Sequence, residues 1–188
     1  MKIWFTSDTH YGHTNILKYC NRPFKNVNEM NNEMMSRWNN VVNDEDTVYH
    51  LGDFAFSRDL EFTLNILNSL KGNKVLITGN HDRKMPSEIK RRFAFVTNYY
   101  EFKVQDDEAN RGTQLIVMMH YAMRIWNKSH YGAWQLYGHS HGTLSDDPNA
   151  LAIDVGVDCH NYTPINYEQI KEIMKKKKFV PIDHHIEI

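Results

Sequence analysis

A chain of 188 residues with 41% hydrophobic and 24% charged residues has the size and composition of one globular domain, residues 1–188. The formal net charge of -1 gives no reason to expect a nucleic-acid partner. The sequence has no apolar stretch of roughly 18 residues, so it gives no reason to expect a membrane partner either. The two cysteines, Cys20 and Cys159, argue against a secreted disulfide framework and a cysteine zinc cluster, so a reducing cytoplasm is expected.

The first half of the chain alternates between predicted strands and helices. Short apolar runs at residues 2–7, 47–51 and 74–78 are typical of buried strands. Apolar residues at helical spacing predict one amphipathic helix over residues 26–42 and another that begins at Ser57, as its N-cap, and closes at Gly72. This alternation favours parallel strands joined by helical crossovers, with any site at the carboxyl ends of the strands.

The second half has a different pattern. Residues 99–104 and 113–119 are strand-like and flank a polar, glycine-containing segment, which predicts an antiparallel hairpin. Further strands are expected from Trp134 towards Gly138 and over residues 151–157, followed by a helix over 166–178 and a short final strand within 179–188. The lysines at 175–178 are interpreted as a solvated helix end, which is favoured over a phosphate-binding patch.

Polar residues with metal-binding side chains follow five of these strands. They are Asp8 and His10, Asp53, Asn80 and His81, His120, and His139 and His141. These residues provide more oxygen and nitrogen donors than one tetrahedral zinc site can use, and none of them is a thiolate. Their number suits two neighbouring ions that share a carboxylate. Two divalent ions about 3.5–4 Å apart favour chemistry at a phosphoryl centre, so a dinuclear phosphoester hydrolase is the natural hypothesis.

The order of these residues resembles a known family. The blocks Asp8-x-His10, Gly52-Asp53, Gly79-Asn80-His81-Asp82, His120 and Gly138-His139-x-His141 are similar to those of the calcineurin-like metallophosphoesterases. The resemblance implies an α/β (α+β-like) fold of two packed mixed β-sheets flanked by helices, with the site at the carboxyl ends of the strands. It also implies that Asp8, His10 and His141 hold one metal ion, that Asn80, His120 and His139 hold the second, and that Asp53 bridges them.

The resemblance further implies a mechanism. A metal-bridging hydroxide would attack phosphorus in line, without a covalent enzyme intermediate, and His81 would protonate the leaving-group oxygen while Asp82 orients His81. The expected cofactors are two divalent ions, manganese first, with iron, nickel and zinc as alternatives because Asp, His and Asn serve all of them.

Hydrolysis of small or nucleotide-type phosphodiesters is the predicted activity, since small single-domain members of the family handle diesters and no large cap domain is visible. The alternatives are a phosphomonoesterase acting on nucleotides or proteins, and a metal-binding scaffold of the same fold without catalysis. A nuclease is disfavoured because the composition shows no basic face, whereas cleavage of cyclic nucleotides stays open.

Several residues near these blocks have less defined roles. Arg124, four residues after His120, is a candidate for gripping the substrate phosphate, with a surface salt bridge as the alternative. Weaker candidates of the same kind are Arg22 and Arg83. The aromatic segment from Trp126 to Trp134 could stack on a base, although core packing is more usual. His13, His50 and His160 are possible neighbours of the ligands, and ordinary packing is favoured for His50.

Overall fold

Two mixed β-sheets flanked by helices form the protein, as a computed structural model that describes residues 1–109 and 112–183 shows. The predicted fold class is thereby confirmed. In the described chain the strands are β1 (Ile3–Thr6), β2 (Thr47–His50), β3 (Asn73–Ile77), β4 (Val96–Thr97), β5 (Tyr99–Gln105), β6 (Thr113–Met119), β7 (Trp134–Tyr137), β8 (Ala152–Asp154) and β9 (Ile165–Asn166). The helices are α1 (Ile16–Tyr19), α2 (Val27–Val41), α3 (Leu60–Ser69), α4 (Ser87–Lys90) and α5 (Tyr167–Met174).

The first sheet has the strand order β4-β3-β2-β1-β9. Strands β1 to β4 are parallel, with Phe5 beside Tyr49 and Tyr49 beside Val75, and β9 is antiparallel to β1. The helical crossovers expected from the sequence therefore connect these parallel strands, and the strands end at the same edge of the sheet.

The second sheet has the order β5-β6-β7-β8. Strands β5 and β6 form the predicted antiparallel hairpin, with Tyr99 opposite Met119 and Gln105 opposite Thr113. Strands β6, β7 and β8 are parallel to one another, so their carboxyl ends also share one edge.

Alternate residues of the first sheet belong to two apolar clusters. Phe5, Tyr49 and Val75 pack with residues of the second sheet, and the Tyr49 and Phe102 rings stack with centroids 4.8 Å apart. Their neighbours Trp4, Val48 and Leu76 pack instead against α2 and α3. The sheet is thus covered on both faces, which explains why its strands are short continuous apolar runs.

Some element boundaries differ from the prediction. Helix α3 begins at Leu60 because the Asp59 carboxylate, rather than Ser57, accepts the capping hydrogen bond from the Phe62 N–H at 3.0 Å. Helix α5 ends at Met174, and Lys175 after it pairs with Glu108 and Glu172 at the surface, in agreement with a solvated helix end. Lys177 departs from that prediction, because its side chain is only 4% exposed and pairs with Asp146.

The short elements α1, α4, β4 and β9 have no counterpart in the prediction. The predicted final strand is absent from residues 179–183, and the rest of it, 184–188, lies outside the described residues. Across the described ranges, no helix is long and apolar enough to cross a membrane.

Candidate metal centre

The loops that follow the strands meet where the carboxyl edges of both sheets come together. A parallel bridge between Ser7 and Gly156 joins the end of β1 to the segment after β8. The Asp8 N–H donates to the Gly52 carbonyl at 2.9 Å, and the His10 N–H donates to the Asp53 carbonyl at 3.0 Å. Backbone hydrogen bonds therefore tie the first two ligand blocks together.

The predicted ligands converge in two groups. In the first metal group, defined as Asp8, His10 and His141, one potential ligand atom from each residue lies within 4.8 Å of the others. Asp53, His120 and His139 satisfy the same criterion. The Asn80 Oδ1 atom lies 3.1 Å from His120 Nε2, and with Asn80 these residues form the second metal group.

Asp53 lies between the two groups. Its Oδ2 atom is 3.6 Å from Nε2 of His10 in the first group and 3.6 Å from Nε2 of His120 in the second. One carboxylate oxygen is thus equidistant from an imidazole of each group, which is the position that a shared ligand requires.

The protonation chemistry of these side chains fits divalent cations. Within the described chain, Asp8 Oδ1 and both ring nitrogens of His10 are buried without a hydrogen-bond partner, a costly arrangement unless a ligand satisfies them. The Nδ1–H of His120 donates to the Leu51 carbonyl at 2.7 Å, which turns Nε2 towards Asp53 and Asn80 as the atom that would bind a metal. The predicted ligands offer oxygen and nitrogen atoms, a donor set that suits divalent metal ions.

Burial and neighbouring side chains shift the pKa values of the predicted ligands. Burial raises the pKa of Asp8 to about 6 and lowers that of His10 to about 2, so His10 is the neutral imidazole that metals bind. Burial alone would also raise the pKa of Asp53, but the neighbouring His120 imidazole lowers it to about 2. Asp53 is therefore ionised at neutral pH.

The backbone of the ligand loops is strained. Five of the nine non-glycine residues with positive φ in the described chain are predicted ligands: Asp8 (58°), His10 (49°), Asp53 (56°), His139 (67°) and His141 (48°). Such conformations cost about 1–3 kcal/mol each and persist where the surrounding structure imposes them, often at functional sites.

Two glycines allow these loops to approach one another. A Cβ atom added at Gly79 would collide with the Asp53 carboxylate and lie 2.8 Å from Cε1 of His120, and one added at Gly138 would collide with Ser7 and Asp8. The glycines that precede Asn80 and His139 are thus required by close packing around the ligands.

His81 lies at the open side of the site. Its side chain is 34% exposed, whereas those of His10 and His120 are 2% and 0% exposed. Its Nε2 atom is 3.9 Å from Asp53 Oδ2, and its backbone N–H donates to Asp53 Oδ1 at 2.9 Å. Distance alone would admit His81 as a ligand with His10 and Asp53. Its exposure, which the predicted ligand His139 shares, gives His81 access to substrate.

Asp82 has a different role from the predicted one. Its buried carboxylate accepts hydrogen bonds from the backbone N–H groups of Asp53 (2.7 Å), Gly79 (2.8 Å) and Phe54 (3.2 Å), and no hydrogen bond joins it to the His81 ring within the described chain. Asp82 therefore holds the Asp53 and Asn80 loops together instead of orienting His81.

Arg22 and Asp158 form a buried clamp that the sequence did not reveal. Arg22 Nε and Nη2 donate to the two Asp158 carboxylate oxygens at 2.8 Å each, and Asp158 accepts from the His141 Nδ1–H at 2.7 Å. Arg22 also donates to the carbonyls of Asp8 (2.7 Å) and Thr9 (3.0 Å). Arg22 is thus not a phosphate-binding residue: its guanidinium is enclosed and supports the first metal group.

Asp158 also changes the basicity of His141. Burial alone would lower the pKa of His141, but the hydrogen bond with Asp158 raises it to about 10. Carboxylates that hold the distal nitrogen of a metal-binding histidine fix its ring orientation and strengthen it as a ligand. Because Arg22 and Asp158 are 136 positions apart, no local sequence pattern connects them.

The three additional histidines are held in different ways. His50 is fully buried; its Nε2–H donates to the Thr9 hydroxyl at 2.9 Å and its Nδ1 accepts from the Gly52 N–H at 3.3 Å. It is a packed residue, as favoured, that also braces two ligand loops. His160 donates to the Asp154 carbonyl at 2.7 Å, and the His13 ring packs against Phe56 with a tilt of 31° and centroids 4.3 Å apart.

Arg124 and the aromatic segment lie apart from the ligands. Arg124 is exposed and lines a cavity of about 550 Å³ whose described lining contains none of the predicted ligands. Trp126 and Trp134 are buried in the apolar cluster that includes residues of both sheets, so these aromatics serve core packing. Arg83 is exposed.

Both the sequence and the fold are similar to those of known proteins. The sequence matches the family model described as calcineurin-like phosphoesterase over residues 1–184. It is 34% identical over 186 residues to the uncharacterized protein MJ1445 of Methanocaldococcus jannaschii, covering 95% of this chain and 94% of that protein. It is 26% identical over 194 residues to the gene 66 protein of Mycobacterium phage D29, covering 92% and 95%. The crystal structure of AQ665, a protein of unknown function from Aquifex aeolicus, shares the fold with a TM-score of 0.67 at 23% identity, covering 92% and 98%.

Proposed function

This chain belongs to the calcineurin-like phosphoesterase family of metal-dependent phosphoester hydrolases, and on that premise we propose that it hydrolyses phosphodiesters with two divalent metal ions. The main support for a two-metal centre is the position of Asp53 Oδ2, which lies 3.6 Å from an imidazole nitrogen of each metal group. When bound, the ions supply Lewis-acid charge to the phosphoryl oxygens and lower the pKa of water.

The protein side chains would supply orientation and a proton. Hydrolysis requires water to attack phosphorus in line with the departing oxygen, and an exposed imidazole beside the ligands can protonate that oxygen. His81 has the required access and is held by its backbone N–H on Asp53. The clamp formed by Arg22 and Asp158 and the amide contacts of Asp82 keep the ligand loops in place, which limits reorganisation during the reaction.

A diester substrate is supported by the 34% exposure of the His81 side chain and by the cavity of about 460 Å³ beside it, which leave room for an ester arm on the phosphorus. Small or nucleotide-type diesters, cyclic nucleotides included, are the proposed substrates. Manganese is the proposed metal, with iron, nickel and zinc able to bind the same donors. A cytoplasmic location is proposed from the cysteines, since Cys20 and Cys159 are both free thiols.

Two chromogenic esters separate the candidate activities. With manganese, the purified protein should hydrolyse bis-p-nitrophenyl phosphate faster than p-nitrophenyl phosphate. Faster monoester cleavage would instead favour a phosphomonoesterase. No turnover of either ester by protein shown to bind manganese, iron, nickel or zinc would favour a metal-binding scaffold.

A further inference from the structure

A cavity of about 460 Å³ opens directly beside His81. It lies between the segment that follows Asp53, up to the first turn of α3, and the segment that follows His81, up to α4. The side chains that matter for its chemistry are Phe56, Arg58, Leu60, His81, Lys84 and Met85. This cavity is named the His81 pocket below.

Two large apolar side chains are exposed at the His81 pocket. Phe56 is 48% and Leu60 38% exposed. The Phe56 ring packs edge-on against His81, with centroids 5.0 Å apart, and against His13 at 4.3 Å. An exposed aromatic ring fixed between two histidines provides a surface for a flat apolar group, and aromatic stacking of a nucleobase is the common use of such a surface.

The polar side chains at this pocket include two cations. Arg58 and Lys84 are exposed, and neither has a carboxylate oxygen within 4.0 Å in the part of the chain that the structure describes. The nearby carboxylate of Asp59 is engaged at the N-terminus of α3, where it accepts from the Phe62 N–H. The pocket therefore combines apolar surface with two positive charges, which complements an aromatic molecule that carries an anion.

We propose that the His81 pocket binds the leaving alcohol of the substrate and that this alcohol is a nucleoside 5′-phosphate departing through its 3′ oxygen. The inference rests on the proposed function, because the side of phosphorus that faces the proton donor His81 is the side of the leaving group. The base lies on Phe56 and Leu60, and the 5′-phosphate pairs with Arg58 and Lys84.

The chemistry of the step balances without a further reactant. Water forms a new P–O bond and loses one proton to solvent, while the bond between phosphorus and the 3′ oxygen breaks. The departing oxygen takes a proton from the His81 side chain, and solvent returns that proton to His81. The products are a nucleoside 5′-phosphate with a free 3′ hydroxyl and a second phosphomonoester.

A matched pair of substrates tests this assignment. Thymidylyl-(3′→5′)-thymidine with a 5′-phosphate should be cleaved with a kcat/KM roughly tenfold above that of the same dinucleotide without it, as expected for charge-assisted contacts to a phosphate. The double variant R58A/K84A should bring the two values to within about twofold. Arg91→Ala, which removes an exposed cation outside the pocket, should leave the preference unchanged.

A binding measurement tests the pocket without catalysis. In EDTA, thymidine 5′-monophosphate should bind the wild type and the Arg91→Ala variant more tightly than R58A/K84A, as measured by calorimetry, whereas thymidine should bind all three alike. Equal kcat/KM values for the two dinucleotides, or a preference retained in R58A/K84A, would overturn the inference even if bis-p-nitrophenyl phosphate is hydrolysed. If no diester is hydrolysed, the proposed function is wrong, and nucleotide binding alone then tests the assignment of the His81 pocket. Weaker binding of thymidine 5′-monophosphate to R58A/K84A would support that assignment, and equal binding would overturn it.

Discussion

Asp158→Asn should weaken one of the two metal sites selectively. Asp158 accepts from His141 at 2.7 Å and from two nitrogens of Arg22 at 2.8 Å, so a single carboxylate links a ligand of the first metal group to a buried cation. Asparagine has nearly the same shape and keeps one acceptor oxygen, but it loses the negative charge and presents an NH₂ group where the second oxygen accepted a hydrogen bond.

Two consequences follow, of different size. Loss of a carboxylate that orients a metal-binding histidine typically reduces metal affinity by about 10–100-fold, or about 1.4–2.7 kcal/mol. Separately, Arg22 would be left buried without its counter-ion, and breaking a buried ion pair by removing one partner costs about 3–5 kcal/mol of stability. The metal-free variant should therefore unfold at a lower temperature.

Manganese titration of the metal-free protein by calorimetry measures the first effect, and thermal unfolding in EDTA measures the second. We expect the variant to show one weakened and one unchanged binding event. Asp106→Asn is the matched control. The Asp106 carboxylate likewise accepts hydrogen bonds from a cation, the Lys171 ammonium, and from the Tyr167 hydroxyl, but it touches no predicted ligand. Unchanged affinity at both sites of Asp158→Asn, or an equal loss at both, would refute the selective role of the clamp.

Three further changes probe other parts of the site. His81→Ala should retain both metal ions by calorimetry but lose about 10²–10⁴-fold in turnover of bis-p-nitrophenyl phosphate; loss of a metal would show that His81 is a ligand. Burial lowers the pKa of His50 to about 3. Below pH 6.5 His50 is therefore protonated in the unfolded chain but stays neutral in the folded protein, so the free energy of unfolding decreases as the pH drops from 6.5 towards 3. Denaturation in EDTA should show a shallower fall for His50→Gln, and an identical slope would contradict this account. Gly79→Ala would place a Cβ against the Asp53 carboxylate and should weaken manganese binding. Gly112→Ala is strained by its φ of 69°, but its Cβ meets no atom of the described residues within 4 Å, so it should bind manganese as the wild type does.

The sequence alone determined the local elements and the chemistry at their ends. Apolar runs and helical spacing predicted the central strands, helix α2 and the β5–β6 hairpin because periodicity records which faces are buried. The Asp, Asn and His residues after those strands indicated metal ligands because parallel strands deliver their carboxyl ends to one edge. Short elements such as α1 and β9 escaped prediction, since four or two residues are too few to show a period.

Only the tertiary structure decided which polar groups meet. Asp53 lies between the two metal groups, Asp82 holds backbone amides instead of His81, and Arg22 reaches Asp158 across 136 positions. The His81 pocket likewise arises where two separate loops face each other. A hydrogen bond or a pocket wall depends on distances of a few ångströms between segments distant in the chain, whereas periodicity in the sequence reports only whether each segment is buried.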